Sequence, residues 1–199
     1  MKHSWFKKLS LTLVLFSLQA FADERENLQN ILFANDGFRA NFEQIVTKQD
    51  GSIVAKSSGN LALKRPNKLI LNTVLPDEQV LFSVDENVYF YDAFVNQVSI
   101  FSKSSLYTSP FLLLSSKDKK VWDSYEVSFK DDIYCLKPKA KGELKQVLVN
   151  TKGGTINSLE ITLKDGNINT YNLSNLSYSV SDDIFNYQIP KDAQVDDER

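Results

Sequence analysis

Side chains that commonly carry catalysis or bind metal ions are scarce in this chain of 199 residues. It has one histidine, His3, and one cysteine, Cys135. No glycine-rich phosphate loop is present, and the serine pairs at 104–105 and 115–116 lack a partner base. Paired carboxylates could serve acid–base chemistry or calcium binding, but these pairs lie in turn-like or tail sequence where carboxylates are usually only solvated. The pairs are Asp131-Asp132, Asp182-Asp183 and Asp196-Asp197.

The first 22 residues have the pattern of a cleavable secretory signal. Lys2, Lys7 and Lys8 supply the positive region, Leu9–Leu18 an apolar run, and Ala20-Phe21-Ala22 a small-residue cleavage site. The apolar run is about half the roughly 20 residues that a membrane-spanning helix requires. We therefore expect export, with residues 1–22 removed and residues 23–199 forming a single domain.

Removal of this segment would take away His3 and Trp5. The remaining 177 residues would carry 20 basic and 25 acidic side chains, a formal charge of −5. Without histidine, Ser-His-Asp and Cys-His catalysis and imidazole-bound zinc are excluded. The acidic balance argues against binding to nucleic acid or to anionic lipid. These properties favour a binding protein over an enzyme, and we expect no metal, no cofactor and a monomer.

Cys135 has two interpretations. An exported chain with one cysteine forms no internal disulfide, so this residue is either a reactive thiol or a small buried hydrophobe. It lies in the apolar run Ile133–Leu136, which favours the buried interpretation.

Hydrophobic spacing predicts one helix followed by many short strands. Leu28, Ile31 and Leu32 indicate a helix over Glu24–Asn35, and period-two alternation begins at Phe38. Later, Ser109 is placed to cap a helix that begins at Pro110. About eleven strands in a meander would curl into a barrel or half-barrel. The strands are expected at 38–46, 53–56, 59–65, 68–75, 79–84, 87–92, 95–101, 122–129, 133–138, 145–151, 156–163 and 169–178.

Several strands are apolar at both parities. Leu63, Leu69, Leu71 and Leu81 share one face, while Ile70, Val80 and Phe82 occupy the other. Either the sheet is covered on both sides, or it is curved around an apolar cavity, and periodicity does not choose between these. Arg65 ends one of these strands among apolar neighbours, where an arginine is ordinarily solvated.

Several segments, in order along the chain, resemble the periplasmic outer-membrane lipoprotein carrier family, LolA. Phe38–Gln44 is similar to its F-x-A-x-F-x-Q segment and Gly59–Pro66 to its G-x-L-x-L-x-R-P segment. Ser109–Leu114 resembles its T-P-F-x-L-L lid helix. Further similar segments are Pro76–Leu81, Tyr91–Gln97, Leu136–Lys139 and Val195–Arg199.

The resemblance implies a mainly β fold with short helices: an unclosed antiparallel barrel of about 11 strands with an α-helical lid over an apolar cavity. The cavity would hold acyl chains of lipoproteins released by an inner-membrane ABC transporter of the LolCDE type, for delivery to an outer-membrane receptor lipoprotein of the LolB type. Arg65 falls on the family's gating arginine, which bonds lid backbone. The cavity-lining positions would be Phe42, Leu63, Leu69, Leu71, Leu81, Phe111, Leu112 and Leu114.

Three alternative functions can each be recognised by a specific feature. An outer-membrane receptor of the same fold would need a cysteine directly after its signal, where this chain has Asp23. A lipid-sensing envelope-stress regulator of the RseB type usually carries a second domain, for which 177 residues leave little room. An enzyme acting on lipid through an Asp/Lys or Ser/Lys pair would turn over esters, which we do not expect.

Overall fold

The computed structural model describes residues 24–66, 68–102 and 110–199. The expected signal at 1–22 and the expected cap at Ser109 lie outside these residues. The described residues contain three α-helices: α1 (residues 24–33), α2 (Pro110–Ser115) and α3 (Lys119–Asp123). The strands are β1 (Gly37–Thr47), β2 (Ile53–Lys64), β3 (Lys68–Leu75), β4 (Gln79–Val84), β5 (Asn87–Asp92), β6 (Gln97–Ser102), β7 (Tyr125–Lys130), β8 (Ile133–Pro138), β9 (Leu144–Asn150), β10 (Ser158–Leu163), β11 (Ile168–Ser177) and β12 (Gln194–Asp197). Short 3-10 helices occupy Lys152–Gly154 and Asp182–Phe185.

All twelve strands belong to one sheet with the order β12-β6-β5-β4-β3-β2-β1-β11-β10-β9-β8-β7. The sheet is an unclosed barrel, and β12 and β7 are its two edges. The mainly β class and the unclosed barrel of about eleven strands are confirmed. The sequence did not predict β12, which pairs parallel to β6, from Gln194 opposite Gln97 to Asp197 opposite Ile100. Every residue of β12 is exposed, so hydrophobic alternation could not reveal it.

The chain order places α2 and α3 on the open side of the barrel. β6 lies next to one edge of the sheet and β7 forms the other edge, yet they are consecutive strands in sequence. The connection between them must therefore cross from one edge to the other, and it contains both helices. Trp122, expected at the start of a strand, instead lies in α3.

Two hydrophobic clusters cover opposite faces of the central strands. The inner face, defined here as the face that contacts the helices, packs Phe42, Leu63 and Leu69 with Leu28 and Leu32 of α1. The outer face packs Ile70, Val80 and Phe82 against residues 180–189, which include the buried Phe185. The strands β2–β4 are apolar at both parities because both faces are covered.

β2 is one continuous strand, although the sequence suggested two strands separated at residues 57–58. Gly59 lies within it, opposite Phe42 of β1 and Thr73 of β3. A Cβ atom at position 59 would lie 1.9 Å from the backbone oxygen of Asn72. The glycine thus permits the close approach of β2 and β3, which carry Arg65 between them.

We expect Gly59→Ala to destabilise the fold by about 1–3 kcal/mol, the usual cost of forcing atoms into a packed site. The contact is with backbone, so no side-chain rotation relieves it. Gly142→Ala is the matched control, because a Cβ atom there meets nothing within 4 Å. Urea unfolding followed by circular dichroism measures both variants. Equal stability of the two would show that β3 shifts without cost.

Candidate functional site

The expected cavity residues lie in the inner-face cluster, with one exception that the structure does not address. Phe42, Leu63, Leu69, Phe111 and Leu114 are all buried members of this cluster. Leu71 and Leu81 are half-buried and pack against its rim. The side chain of Leu112 lies outside the described side chains, although its backbone is within α2. Strands and lid helix therefore contribute to one apolar interior.

An aromatic contact joins α2 to β11 in the middle of the sheet. The Phe111 ring meets the Tyr171 ring edge-on, with centroids 4.9 Å apart. Tyr171 lies on β11 and in turn contacts the Phe42 ring of β1 at 5.8 Å. Gln44 makes a hydrogen bond with the side chain of Tyr171. Phe111 is thus linked to β11 directly and, through Tyr171, to β1.

The short helix α3 is fixed by specific polar bonds. The Asp118 carboxylate caps it by accepting from the backbone N–H of Lys120 at 2.8 Å. Trp122, which is fully buried, donates through Nε1 to the Ser116 backbone oxygen at 2.8 Å. Its ring meets Phe33 of α1 edge-on at 6.2 Å. These contacts connect α3 to both α1 and the end of α2.

Arg65 follows β2 and bonds the segment after α1 and the last turn of α2. Its Nη1 donates to the Asn35 backbone oxygen at 2.8 Å, just after α1. Its Nη2 donates to the Leu114 backbone oxygen of α2 at 3.4 Å, a long hydrogen bond. The guanidinium also lies over the Phe33 ring, 4.8 Å from the centroid, which favours a cation.

Burial makes Arg65 an unusual cation. Only 9% of its surface is exposed, so Arg65 is not a solvated arginine at the end of a strand. Burial lowers the pKa of its guanidinium to about 10, while the Asp36 carboxylate opposes the shift. The group therefore remains charged at neutral pH. Its Nε is buried and has no hydrogen-bond partner among the described residues.

Residues with other expected chemistry have ordinary structural positions. The Asp182 carboxylate forms salt bridges with Lys64 Nζ at 3.1 Å and with Lys68 Nζ at 2.6 Å. Cys135 is half-buried, less than expected, with its Sγ 3.8 Å from Gln146 Oε1, and burial raises the pKa of its thiol. Within the described ranges, no three His, Cys, Asp or Glu side chains are grouped to hold a metal ion. No helix among the described residues is long and apolar enough to span a membrane.

Sequence reasoning missed the residues that tie the helices to the sheet. Phe33, Asn35, Trp122 and Tyr171 were not singled out, yet they contact Arg65, each other or Phe111. Asn35 acts through its backbone oxygen, so its side chain carries no signal. Phe33 follows Leu32 directly and lies off the stripe of Leu28, Ile31 and Leu32. A wider apolar face on α1 was the signal that could have revealed it.

An unclosed barrel with an apolar interior covered by short helices defines the class of this protein. A solved structure of an uncharacterized conserved protein from Thermus thermophilus shares the fold. It has a TM-score of 0.54 at 10% identity, with 88% of this chain and 98% of that chain covered.

The family profile described as "Outer membrane lipoprotein carrier protein LolA" matches residues 34–188. Two relatives named "Outer-membrane lipoprotein carrier protein" match nearly full length. The relative from Pectobacterium atrosepticum is 38% identical over 199 residues, covering 98% of both chains. The relative from Haemophilus ducreyi is 37% identical over 201 residues, covering 97% of this chain and 96% of its own. The chain belongs to the outer membrane lipoprotein carrier (LolA) family.

Tyr171 should give stability a distinct alkaline pH dependence. Burial raises the pKa of its hydroxyl to about 12, although the bond with Gln44 opposes the shift. Because the unfolded chain loses this proton first, the stabilisation holds below about pH 10 and falls by about 1.4 kcal/mol per pH unit above it. Tyr171→Phe should lack this component, whereas Phe replacement of the exposed Tyr178 should keep it. Urea unfolding from about pH 9 to about pH 11 checks the difference; identical slopes in all three proteins contradict it.

Proposed function

We propose that this protein is a periplasmic carrier that holds the acyl chains of lipoproteins in its apolar interior. In this proposal it receives lipoproteins from an inner-membrane ABC transporter of the LolCDE type. It then delivers them to an outer-membrane receptor lipoprotein of the LolB type, after its own signal at 1–22 has been removed. It performs no catalysis. The nearly full-length similarity to proteins named as carriers supports this role over that of a regulatory module with the same fold.

The observation that carries the proposal is an apolar interior whose helical cover is bonded by one buried cation. Acyl chains need an apolar site that opens, and α2 contributes Phe111 and Leu114 to that site. Arg65 bonds main-chain oxygens at two helices rather than a carboxylate. Main-chain carbonyl oxygens carry no net charge. The bonds to Arg65 can therefore break and reform without leaving a buried anion behind.

Energetics favours a site that must be opened over one that is always open. A triacyl anchor with on the order of 40 methylenes would gain up to about 30 kcal/mol at ~0.8 kcal/mol each. That exceeds the whole stability of a typical domain, about 5–15 kcal/mol. A preformed cavity that realised this gain would not release its cargo. Separating packed side chains such as Phe111 and Tyr171 offsets part of the gain and permits delivery.

The function is tested by the cargo itself. The protein purified from the periplasmic fraction should carry, by mass spectrometry, a peptide with an N-acylated diacylglyceryl cysteine. Leu81→Glu should abolish one-to-one binding of a fluorescent fatty acid while the chain stays folded, because a charge in an apolar site is costly. Val84→Glu is the matched control, since Val84 lies on the same strand but is 43% exposed. Absence of lipid from the purified protein together with normal fatty-acid binding by Leu81→Glu would contradict the proposal.

Arg65 should set the balance between the closed and the cargo-holding states. Arg65→Leu removes the charge-assisted bond to the Leu114 backbone oxygen, which only the closed state makes; such bonds are worth roughly 1.5–3 kcal/mol. The equilibrium then shifts toward the open state, because only differential contacts move it. The variant should still take lipoproteins from inner-membrane vesicles but transfer at least about tenfold less to the receptor.

Two variants control this experiment. Lys68→Leu also removes a cation beside the same turn, but its Nζ bonds Asp182 on the outer face, so transfer should be normal. Arg65→Lys should restore transfer only in part, since lysine lacks the planar fork that reaches two acceptors. Normal transfer by a folded Arg65→Leu protein would remove the gate from this account.

A further inference from the structure

The most exposed aromatic side chain in the described residues is Phe94, at the turn between β5 and β6. It is 82% exposed. Half of the strongly exposed large hydrophobic side chains lie at this end of the sheet, on this turn, on the adjoining end of β3 or on β12. They are Val74, Leu75, Phe94, Val95 and Val195. None of them contributes to the inner-face cluster, so cargo binding does not account for them.

The turn that presents Phe94 is held rigidly by hydrogen bonds. The Asp92 carboxylate accepts from the backbone N–H of Phe94 at 2.9 Å and of Val95 at 3.4 Å. The Tyr91 hydroxyl bonds the side chain of Asn96 at 3.1 Å. Asn96 has a positive φ of 50°. An exposed phenylalanine on such a turn loses little freedom on binding, which is the property of an interface anchor.

Two neighbouring segments are bonded to this turn. The backbone N–H of Ala93 donates to the Glu78 backbone oxygen at 3.0 Å, which joins it to the turn between β3 and β4. The Asn96 side chain donates to the Asp192 carboxylate at 3.2 Å. The backbone N–H of Gln194, at the start of β12, donates to the Asn96 backbone oxygen at 2.9 Å. Phe94, Leu75 and Val95 therefore lie on one connected part of the molecule, here called the Phe94 surface.

Negative charge borders the Phe94 surface. Four exposed carboxylates lie on the segments just described, and none of them makes a salt bridge with a described lysine or arginine. Lys191 is the one basic residue adjoining them in sequence. Unpaired carboxylates repel an anionic lipid surface and attract a basic protein. The four are Asp77, Glu78, Asp192 and Asp196.

We propose that the Phe94 surface docks a membrane-bound protein that presents an apolar socket bordered by lysine or arginine side chains. Phe94 enters the socket, and the four carboxylates orient the two proteins and accelerate their encounter. The partner belongs to the cargo-exchange route of the proposed function, on which this inference rests in part. The surface lies apart from Arg65 and the lid, so docking and cargo binding are separable.

The first test compares transfer with cargo binding. Phe94→Ala and the double variant Asp77→Lys/Glu78→Lys should each slow lipoprotein transfer at one membrane by at least about tenfold, the effect of losing an interface anchor. Their affinity for a fluorescent triacylated peptide should equal that of the wild type. Phe129→Ala and Glu126→Lys/Glu143→Lys are matched controls, because they remove an exposed phenylalanine and reverse two exposed carboxylates elsewhere. Unchanged transfer by Phe94→Ala would overturn the proposal.

The second test works whether or not the protein carries lipoproteins. A photo-crosslinker placed by Phe94→p-benzoylphenylalanine should label a protein in inner- or outer-membrane vesicles, whereas the same change at Phe129 should not. Excess wild type should compete, and Phe94→Ala or Asp77→Lys/Glu78→Lys should not. Labelling should weaken when ionic strength rises from about 0.1 M to about 1 M, which shortens the Debye length from about 10 Å to about 3 Å.

Three outcomes of the second test would overturn the docking proposal. The first is no labelled membrane protein in either vesicle preparation. The second is Phe94-dependent flotation with protein-free vesicles of phosphatidylethanolamine and phosphatidylglycerol, which would make the surface a lipid contact. The third is Phe94-dependent dimerisation in light scattering, which would make the occupant a second copy. Labelling as expected without any lipoprotein cargo would instead retain the docking surface and reject the carrier function.

Discussion

The buried guanidinium of Arg65 is the interaction on which the closed arrangement depends. It bonds the end of α1 through Asn35 and α2 through Leu114, and it covers the Phe33 ring. An isolated charge in an apolar interior is costly unless it is paired or hydrogen-bonded. Here the carbonyl oxygens and the ring replace water, but incompletely, because Nε has no partner among the described residues. The closed state therefore holds a cation that is only just compensated.

The sheet makes this arrangement possible. Arg65 follows β2 at a turn whose position is fixed from both faces, by the inner-face cluster and by residues 180–189 on the outer face. The ion pairs from Lys64 and Lys68 to Asp182 flank the same turn. These ion pairs are exposed and individually weak. Phe185 beside them is buried, and its apolar packing stabilises the turn more strongly. A rigid strand pair can aim one side chain at two helices, whereas a loop would not keep its direction.

Much of this fold was predictable because β-strand alternation survives in the sequence. Phe38, Ala40 and Phe42 are buried and Arg39, Asn41 and Glu43 are not fully buried, which follows the period of two. A helix covers Pro110–Ser115, where the sequence predicted one. By contrast, α3 spans five residues and depends on a cap at Asp118 and a bond from Trp122. Hydrophobic periodicity does not identify so short an element, and β12 is exposed at every residue.

The candidate site was predictable only where side chains carry the information. Phe42, Leu63 and Leu69 are buried in the inner-face cluster, whereas their role in binding acyl chains stays a prediction. The acceptors of Arg65 are backbone oxygens, which every residue has, so no composition could identify Asn35 or Leu114 as partners. Contacts such as Phe111 with Tyr171 join residues 60 positions apart. Such pairs arise from the curvature of the sheet, which a single sequence does not display.

The two bonds of Arg65 are unequal, and this bears on which helix moves in the proposed carrier. The bond to Asn35 is 2.8 Å and the bond to Leu114 is 3.4 Å, so the second is the weaker. α1 also presents Phe33 to the guanidinium and is bonded to Asp123 through Arg25 at 2.6 Å. Breaking the Leu114 bond leaves Arg65 with the stronger acceptor and the ring. The cheaper opening motion therefore separates α2 from Arg65, and the guanidinium stays with α1 while Phe111 leaves Tyr171.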